Sequence, residues 1–335
     1  MTEVIRTITF GIIAYNEHNY LPDLLEDLLN QTYPKELIEV IMVDGRSEDD
    51  TKAIMECFRE QHQTEYLNIR ILTNEKRIQP AGWNMVISNM QTQALLRIDA
   101  HARLPKDFVE QNIRCLNTGE YVCGGPRENI IDEDTAWKRM LLDAEQSVFG
   151  AGIASYRQDT EETKSVKSVF HGAYRKSVFD NVGLFNENLV RTEDNEIHYR
   201  IRQAGYRICY DPKIRSYYQT RNSLKGMIRQ KYQNGLWIGK TFFICPGCIS
   251  LFHLVPFAFV CAIIGSSVLA AFGIFWPCQL LWGAYLAATL VMTAAAVIGS
   301  KKKSLYCLVL PVVFLLLHVS YGAGTLSGIF QRKIK

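Results

Sequence analysis

From Pro212 to Lys335 the chain holds no Asp or Glu, while thirteen Lys and Arg fall there. Few soluble folds accommodate so long a stretch without one acid. Within it three apolar runs follow one another, at roughly 249–275, 279–298 and 305–330, and none contains Lys or Arg. Each reaches the ~20 residues that carry a helix across a ~30 Å hydrocarbon core. Buried helices of soluble domains seldom run so long uncharged, so the expectation is three transmembrane helices. Pro256 and Pro311 fall inside the runs, where lipid-buried helices tolerate them. Trp276 and Trp282 sit near the first turn between runs, an interfacial position.

Residues 1–211 hold the other 24 basic residues and all 34 acids, a net of −10. An acidic front and a wholly basic back suit a tail held against anionic lipid. A nucleic-acid-binding tail would share the charge but not the apolar composition. The expected partner of the back is therefore membrane lipid and not nucleic acid. Met1–Arg6 carries both charges and leads directly into a strand-like run, so no secretory signal is expected. Nine scattered cysteines suggest no disulfide framework, and Cys245-Pro-Gly-Cys248 is a lone C-x-x-C without the second pair that zinc would need.

Lys301, Lys302 and Lys303 separate the second and third runs, and the positive-inside bias puts them in the cytoplasm. Two crossings before them return the chain to the side of the front domain. This predicts a multi-pass protein of the cell membrane with its front domain cytoplasmic. Three full crossings then place Arg332, Lys333 and Lys335 outside, against the same bias. Either the bias is broken there or one run is re-entrant or interfacial. The third run, with His318, Ser320, Tyr321 and three glycines, is the one in question.

The front alternates in period. Strand patterns at Thr7–Ala14, Leu37–Val43, Ile69–Leu72 and Ala94–Ile98 are each followed by a helical pattern, at Tyr20–Leu29, Thr51–Arg59, Ala81–Met90 and Lys106–Cys115. Repeated units of this length predict an α/β fold, a parallel sheet with helices on both faces, and ligands beyond the carboxyl ends of its strands. Three of those ends carry carboxylates. The first strand ends in Tyr15-Asn16-Glu17, the second in Val43-Asp44-Gly45-Arg46-Ser47-Glu48-Asp49-Asp50-Thr51, and the fourth in Arg97-Ile98-Asp99-Ala100-His101. Taken singly each is ordinary turn chemistry, with Ser47 or Asp49 as a helix cap. Three in order along one sheet point to a site.

In this order the residues resemble the family 2 glycosyltransferases, the large inverting group with a GT-A fold, over about Ile8 to Tyr210. The resemblance continues through Asn84 after Arg77, Gly124-Gly125-Pro126, Gly172-Ala-Tyr-Arg175, Gly183-Leu-Phe185 and Thr192-Glu193-Asp194. With the membrane tail, it is most similar to bacterial exopolysaccharide enzymes of the succinoglycan-biosynthesis type. It implies a GT-A, nucleotide-sugar-binding, Rossmann-like domain at 1–211, a basic juxtamembrane segment at 212–247 and a helical transmembrane region at 248–335.

The resemblance also implies roles. Asp194 would be the catalytic base that takes the acceptor hydroxyl's proton, with Glu193 beside it and Glu196 in reserve. Asp44 would contact the nucleoside, and Asn16, Glu17, Arg77 and Asn84 would complete the substrate site. Asp99 and His101, two apart at a strand end, can point to one face and hold a divalent cation, Mn²⁺ or Mg²⁺. The family usually has a second Asp where His101 stands, and an imidazole tips the preference toward Mn²⁺. The alternative role for His101 is direct contact with the diphosphate, and His171 would line the acceptor side. A helix cap by Thr192, with Glu193 and Asp194 on the helix dipole, would explain the same three residues without chemistry.

Processive members carry Gln-x-x-Arg-Trp after this helix. The matching stretch here, Arg229-Gln-Lys-Tyr-Gln-Asn-Gly-Leu-Trp237, has no Arg-Trp pair. The expected reaction is therefore transfer of one sugar from a nucleotide sugar, a UDP-sugar first, to a lipid-linked saccharide acceptor such as a polyprenyl diphosphate. The alternatives are a polyprenyl-phosphate glycosyltransferase that makes the activated lipid itself, and a non-catalytic glycosyltransferase-like subunit of a membrane complex.

Overall fold

The computed structural model of the protein describes residues 3–150, 161–220, 223–299 and 304–331. The chain divides into two compact units, one of Met1–Glu128 with Ser155–Gln219 and one of Asn129–Ala154 with Thr220–Lys335. The front domain expected at 1–211 thus extends to Gln219 and gives residues 129–154 to the helical unit. Lys301, Lys302, Lys303, Arg332, Lys333 and Lys335 lie outside the described residues.

The first unit is built on an eight-stranded sheet. Its strands β1 (Ile8–Ala14), β2 (Ile38–Asp44), β3 (Asn68–Thr73) and β4 (Ala94–Asp99) are parallel and lie in the order β3-β2-β1-β4. The helices α1 (Leu21–Leu29), α2 (Thr51–His62) and α3 (Gln79–Asn89) connect them, and α4 (Phe108–Asn117) follows β5 (Ala102–Arg103). Successive side chains of a strand face opposite ways, so Val40 and Met42 join one hydrophobic core while Ile41 and Val43 join the other. The buried run Ile38–Asp44 is consistent with a strand covered on both faces.

Beyond β4 the sheet turns mixed. β9 (Gly172–Arg175) pairs antiparallel with both β4 and β6 (Val122–Gly124). β10 (Ile208–Tyr210) runs parallel to β6, and β8 (Lys164–Ser165) closes the edge antiparallel to β10. The parallel expectation therefore holds for β1 to β4, β6 and β10, which all run the same way, and fails at β9 and β8. Strands of two to four residues carry too little periodicity to be read from sequence. A second, three-stranded sheet has the order β5-β11-β7, with β7 at Arg127–Ile130 and β11 at Ser216–Gln219.

Close approach of α3 to β1 depends on glycine. A Cβ at Gly11 would lie 2.9 Å from Val86, and one at Gly82 would lie 2.9 Å from Ile13. This seats Trp83 fully buried against the middle of β1. The short helix α6 (Lys176–Val182) leads to the segment around Phe185, which Asn84 fastens to α3. The Asn84 Nδ2 donates to the Phe185 carbonyl at 2.9 Å, and its Oδ1 accepts from the Phe185 N–H at 2.8 Å. The helix α7 (Glu193–Gln203) follows and packs its Ile197 and Ile201 into the same core.

The second unit is helical. It contains α5 (Ala136–Gln146), α8 (Leu224–Thr241), α9 (Leu251–Ala271), α10 (Trp276–Gly299) and α11 (Leu310–Phe330). Its core packs Met140, Leu141 and Ala144 of α5 with Met227 of α8 and Leu310, Val313, Phe314 and Leu317 of α11. Among the described residues three helices are long and apolar enough to cross a membrane: Leu251–Ala271, Trp276–Gly299 and Leu305–Phe330. Pro256 lies inside α9, whereas Pro311 stands in the first turn of α11, after a 3-10 turn at Leu305–Val309. There its missing N–H costs nothing.

Asn84→Ala leaves both backbone groups of Phe185 without their partner. It is expected to destabilise the full-length protein in detergent by about 1–3 kcal/mol, read as a lower melting temperature by Trp fluorescence. An unchanged melt would show that the Asn84 amide does not hold this segment.

Candidate active site

The strand order reverses between β1 and β4, which flank each other while β2 and β3 lie to one side. Ligand crevices of open α/β sheets lie at such a reversal, outside the carboxyl ends. Three successive strands end in loops with a non-glycine residue at positive φ: Asn16 (φ 56), Arg46 (φ 60) and Arg77 (φ 55). Each costs of order 1 kcal/mol and persists only where the surroundings fix it.

Hydrogen bonds fix two of these loops together. The Asn16 Oδ1 accepts from the Glu48 N–H at 2.9 Å, the Asn16 N–H donates to the Ser47 Oγ at 3.0 Å, and the Glu17 N–H donates to the Thr51 Oγ1 at 2.8 Å. Buried Asp44 accepts from the Ser47 N–H at 3.0 Å. The cap reading of this motif holds only in part. Asp50 is the N-cap of α2 without a side-chain cap bond, while Asp49 accepts from the Thr51 N–H at 3.0 Å and meets His18 at 2.6 Å. Arg77 donates to the Arg46 carbonyl at 3.3 Å, pairs with Glu48 at 3.5 Å and stands 5.8 Å from the Tyr15 ring. That places its guanidinium on the rim formed by the β1 and β2 loops.

At the end of β4 the Asp99 side chain is largely buried and His101 turns toward Glu17, Nδ1 to Oε1 at 3.1 Å. Burial opposes charge on this ring, but the Glu17 bond, the nearby Tyr218 hydroxyl and the carboxylates of Glu17 and Asp99 lift it to about 10. The His101 Nε2 is buried and has no partner. His171 is buried with both ring nitrogens unpartnered, and burial holds it neutral, down to about 3. Both rings belong to an aromatic cluster. His101 meets Tyr218 edge-on at 4.8 Å, His171 meets Phe170 at 4.8 Å, and the Arg127 guanidinium lies 4.3 Å from Phe170 and 4.2 Å from Tyr218.

Arg97 enters the same region from the middle of β4. It is buried, lies over the faces of Trp83 (5.1 Å) and Phe185 (5.4 Å), and reaches Glu193 at 3.4 Å. Burial disfavours its charge, but Tyr174, Glu193, Asp194 and Asp99 together hold it cationic. Burial, reinforced by the charge of Asp194, pushes Glu193 up to about 8 against the pull of Arg97. Asp194 is only partly buried and accepts from the Asn195 N–H at 2.8 Å, at the first turn of α7 where the helix dipole favours a negative charge. Thr192 is the N-cap residue but makes no side-chain cap bond, so capping alone does not account for the motif. Glu196 is committed to Arg200 at 2.7 and 2.8 Å, and Asn84 spends its amide on Phe185 and Glu187.

Asp99, His101, Glu17 and the Arg97–Glu193–Asp194 group thus meet through direct bonds or mutual charge, while Asp44, Asn16 and Arg77 organise the neighbouring loops. Sequence reasoning did not single out Arg127, Phe170 or Tyr218. Arg127 directly follows the Gly124-Gly125-Pro126 motif and was there to be seen, whereas Tyr218 is brought in only by the pairing of β11 with β5. Among the described residues no group of three or more His, Cys, Asp or Glu forms a metal cage.

A family model described as "Glycosyl transferase family 2" matches residues 9–183. The chain is 29% identical over 330 residues to the "Dolichyl N-acetyl-alpha-D-glucosaminyl phosphate 3-beta-D-2,3-diacetamido-2,3-dideoxy-beta-D-glucuronosyltransferase" of Methanococcus voltae, covering 97% of each chain. It is 26% identical over 319 residues to "Succinoglycan biosynthesis protein ExoA" of Rhizobium meliloti (strain 1021), covering 93% of this chain and 92% of that protein. Among solved structures, "Mannosyltransferase PcManGT from Pyrobaculum calidifontis in complex with GDP-Man and Mn2+" superposes with a TM-score of 0.62 at 16% identity, over 97% of this chain and 88% of that one. At that identity the likeness concerns the fold.

A carboxyl group whose folded value is raised stabilises the fold while protonated. That stability is fully present below the ordinary carboxylate range and is lost as pH rises through about 8 for Glu193. Glu193→Gln keeps the neutral shape and is therefore expected to flatten the decline in melting temperature between about pH 5 and 9. If the variant keeps the parent's alkaline decline, another group titrates there.

Proposed function

Because the chain belongs to glycosyl transferase family 2 and is a glycosyltransferase, we propose that it transfers a single sugar, with inversion, from a nucleotide sugar to a lipid-linked saccharide in polysaccharide biosynthesis. The acceptor hydroxyl oxygen attacks the anomeric carbon from the face opposite the leaving group. A new C–O bond forms there, the bond to the nucleoside diphosphate breaks with its electrons leaving on the phosphate oxygen, and the proton passes to the Asp194 carboxylate. The observation that carries this reading is the environment of Asp194. It is partly exposed at a helix N-terminus, beside a buried Glu193 that burial drives toward the neutral form and a buried Arg97 cation. A base must reach the substrate, and Asp194 is open to solvent where Glu193 is sealed in.

The diphosphate leaving group calls for positive charge. The unpartnered His101 Nε2, its ring oriented through Nδ1 by Glu17, fits a metal ligand with a carboxylate behind it. With Asp99 it would supply two protein ligands for Mn²⁺ or Mg²⁺, the donor's phosphates completing the set. Such an ion, when bound, neutralises charge on the departing diphosphate. The other role for His101 is a direct one, its cationic ring meeting the phosphates. Asp44, Asn16 and Glu17 would receive the nucleoside in the loops they brace, with Arg77 at the diphosphate and a UDP-sugar the first donor to test.

Two relatives support a lipid-borne acceptor: one is named for transfer to a dolichyl-linked sugar phosphate and the other for succinoglycan biosynthesis. Three helices apolar enough to cross a membrane, and the acid-free segment that holds them, suit an enzyme of the cell membrane whose catalytic unit faces the cytoplasm. The absence of an Arg-Trp pair in 229–237 favours one transfer per acceptor over polymer extension.

Asp194→Asn is expected to lower turnover by roughly 10²–10⁴-fold while leaving donor binding intact, measured as sugar added to an extracted lipid acceptor and resolved by mass spectrometry. A variant that transfers as well as the parent removes Asp194 from the chemistry. A thermal-shift screen of nucleotide sugars in detergent, with and without Mn²⁺, should find one donor that stabilises the parent. A metal-dependent part of that shift should vanish in Asp99→Ala, and stabilisation by no nucleotide sugar would remove the reading altogether.

A further inference from the structure

Asp194 stands in the first turn of α7, and two polar contacts fasten the inner side of that helix to the sheet. One is the Glu193–Arg97 pair at 3.4 Å. The other lies deeper, where the Tyr174 hydroxyl of β9 and the His198 Nε2 of α7 are 2.8 Å apart and both side chains are fully buried. We propose that Tyr174 and His198 are positioning residues for the transfer reaction, setting through α7 where the Asp194 carboxylate stands. The inference rests on Asp194 as the base and adds to that reading what holds the base in place.

Asp194 and His198 are four residues apart in one helix, so they share a face, with His198 one turn further from the site. The charge of Asp194 acts on the Tyr174 hydroxyl, so carboxylate and phenol are neighbours in space as well. Tyr174 is a rigid post. Its strand is paired on both edges, with Tyr174 opposite Leu95 of β4 and Val122 of β6, and its ring meets Phe179 at 5.6 Å. The two anchors of α7 therefore come from adjacent strands of one sheet, Arg97 from β4 and Tyr174 from β9.

Ile197 and Ile201 of α7 also join this core, but apolar contact is non-directional and lets a helix slide or turn slightly. A hydrogen bond weakens steeply with angle and distance, so it fixes both. Elsewhere on α7, Arg200 donates to the carbonyls of Val182 and Leu184, which ties the helix to the segment that Asn84 clamps. Attachment at Glu193, His198 and Arg200 gives α7 three points, and three points determine both its height and its rotation.

The Tyr174–His198 pair acts by place and not by carrying a proton. Burial pushes the Tyr174 hydroxyl up to about 12 and holds His198 neutral, down to about 3, so neither changes charge between about pH 5 and 9. A base has to come within hydrogen-bond reach of the proton it takes, and a displacement of about 1 Å costs on the order of 10²-fold in rate. Released from Tyr174, α7 would keep the Asp194 carboxylate but not its place.

The test is steady-state transfer by the full chain in detergent, from UDP-hexoses and GDP-mannose to extracted lipid acceptor, with melting temperatures measured alongside. Tyr174→Phe keeps the buried ring and removes only the hydroxyl. It is expected to lower kcat about 10–100-fold at an unchanged donor KM, and to lower the plateau of the pH–rate profile without moving its limbs. His198→Gln, whose amide can meet the hydroxyl, is expected to recover most of the rate that His198→Leu loses. Amide hydrogen exchange over residues 193–200, which needs no substrate, is expected to be faster in Tyr174→Phe than in the parent. Ile201→Val loosens the same core without touching the bond and measures a merely structural effect. The inference fails if Ile201→Val lowers kcat as far as Tyr174→Phe at an equal drop in melting temperature, or if Tyr174→Phe keeps the parent's kcat or exchange rate. A displaced pH limb in Tyr174→Phe would make the pair a proton relay and overturn the positioning role. Asp194→Asn separates the two readings. Parental activity in that variant removes the base itself, whereas an inactive Asp194→Asn beside an unimpaired Tyr174→Phe removes this inference alone.

Discussion

The active-site half of the first unit is organised around one buried cation. Arg97 comes from the middle of a central strand, between Leu96 and Ile98, and is kept charged by Tyr174, Glu193, Asp194 and Asp99 around it. A guanidinium taken out of water costs several kcal/mol unless its surroundings compensate. Here the compensation comes from the faces of Trp83 and Phe185 and from Glu193, and each of these depends on a further constraint. Trp83 requires the glycine-mediated seat of α3 on β1. Phe185 requires the Asn84 clamp. Glu193 requires α7 to start where it does.

This arrangement divides labour among acids that look alike in sequence. Glu193 is sealed in with Arg97 and driven toward its neutral form, Glu196 is spent on Arg200, and Asp194 alone of the three stays within reach of solvent. The same division recurs on the donor side. Asp44 and Asn16 use hydrogen-bonding groups to hold strained loops, while His101 uses one nitrogen on Glu17 and keeps the other unsatisfied. A buried polar atom without a partner is costly, and sites that bind polar ligands are where such a cost is recovered.

In the helical unit the controlling constraint is the distance between α8 and α11. Four glycines bring their backbones so close that the two helices act as one element. Helix α11 packs with α5 and α8 and also with α9 and α10, while other apolar residues along it are left exposed.

The sequence by itself determined the two-part build, the four strand–helix units and the helical tail, because each is written in hydrophobic period, length and charge that act locally. It also marked Asp44, Asp99, His101 and Asp194, since strand ends and helix starts are local features too. Tertiary structure alone decided that Glu193 faces a buried Arg97, that Asn84 clamps a segment about a hundred residues away, and that Tyr218 and Arg127 join the histidines. It decided as well that the third apolar run lies flush with a basic helix. All of these depend on contacts between residues far apart in the chain. Pairing of short strands and backbone contact at glycines leave no periodic trace in the residues that make them.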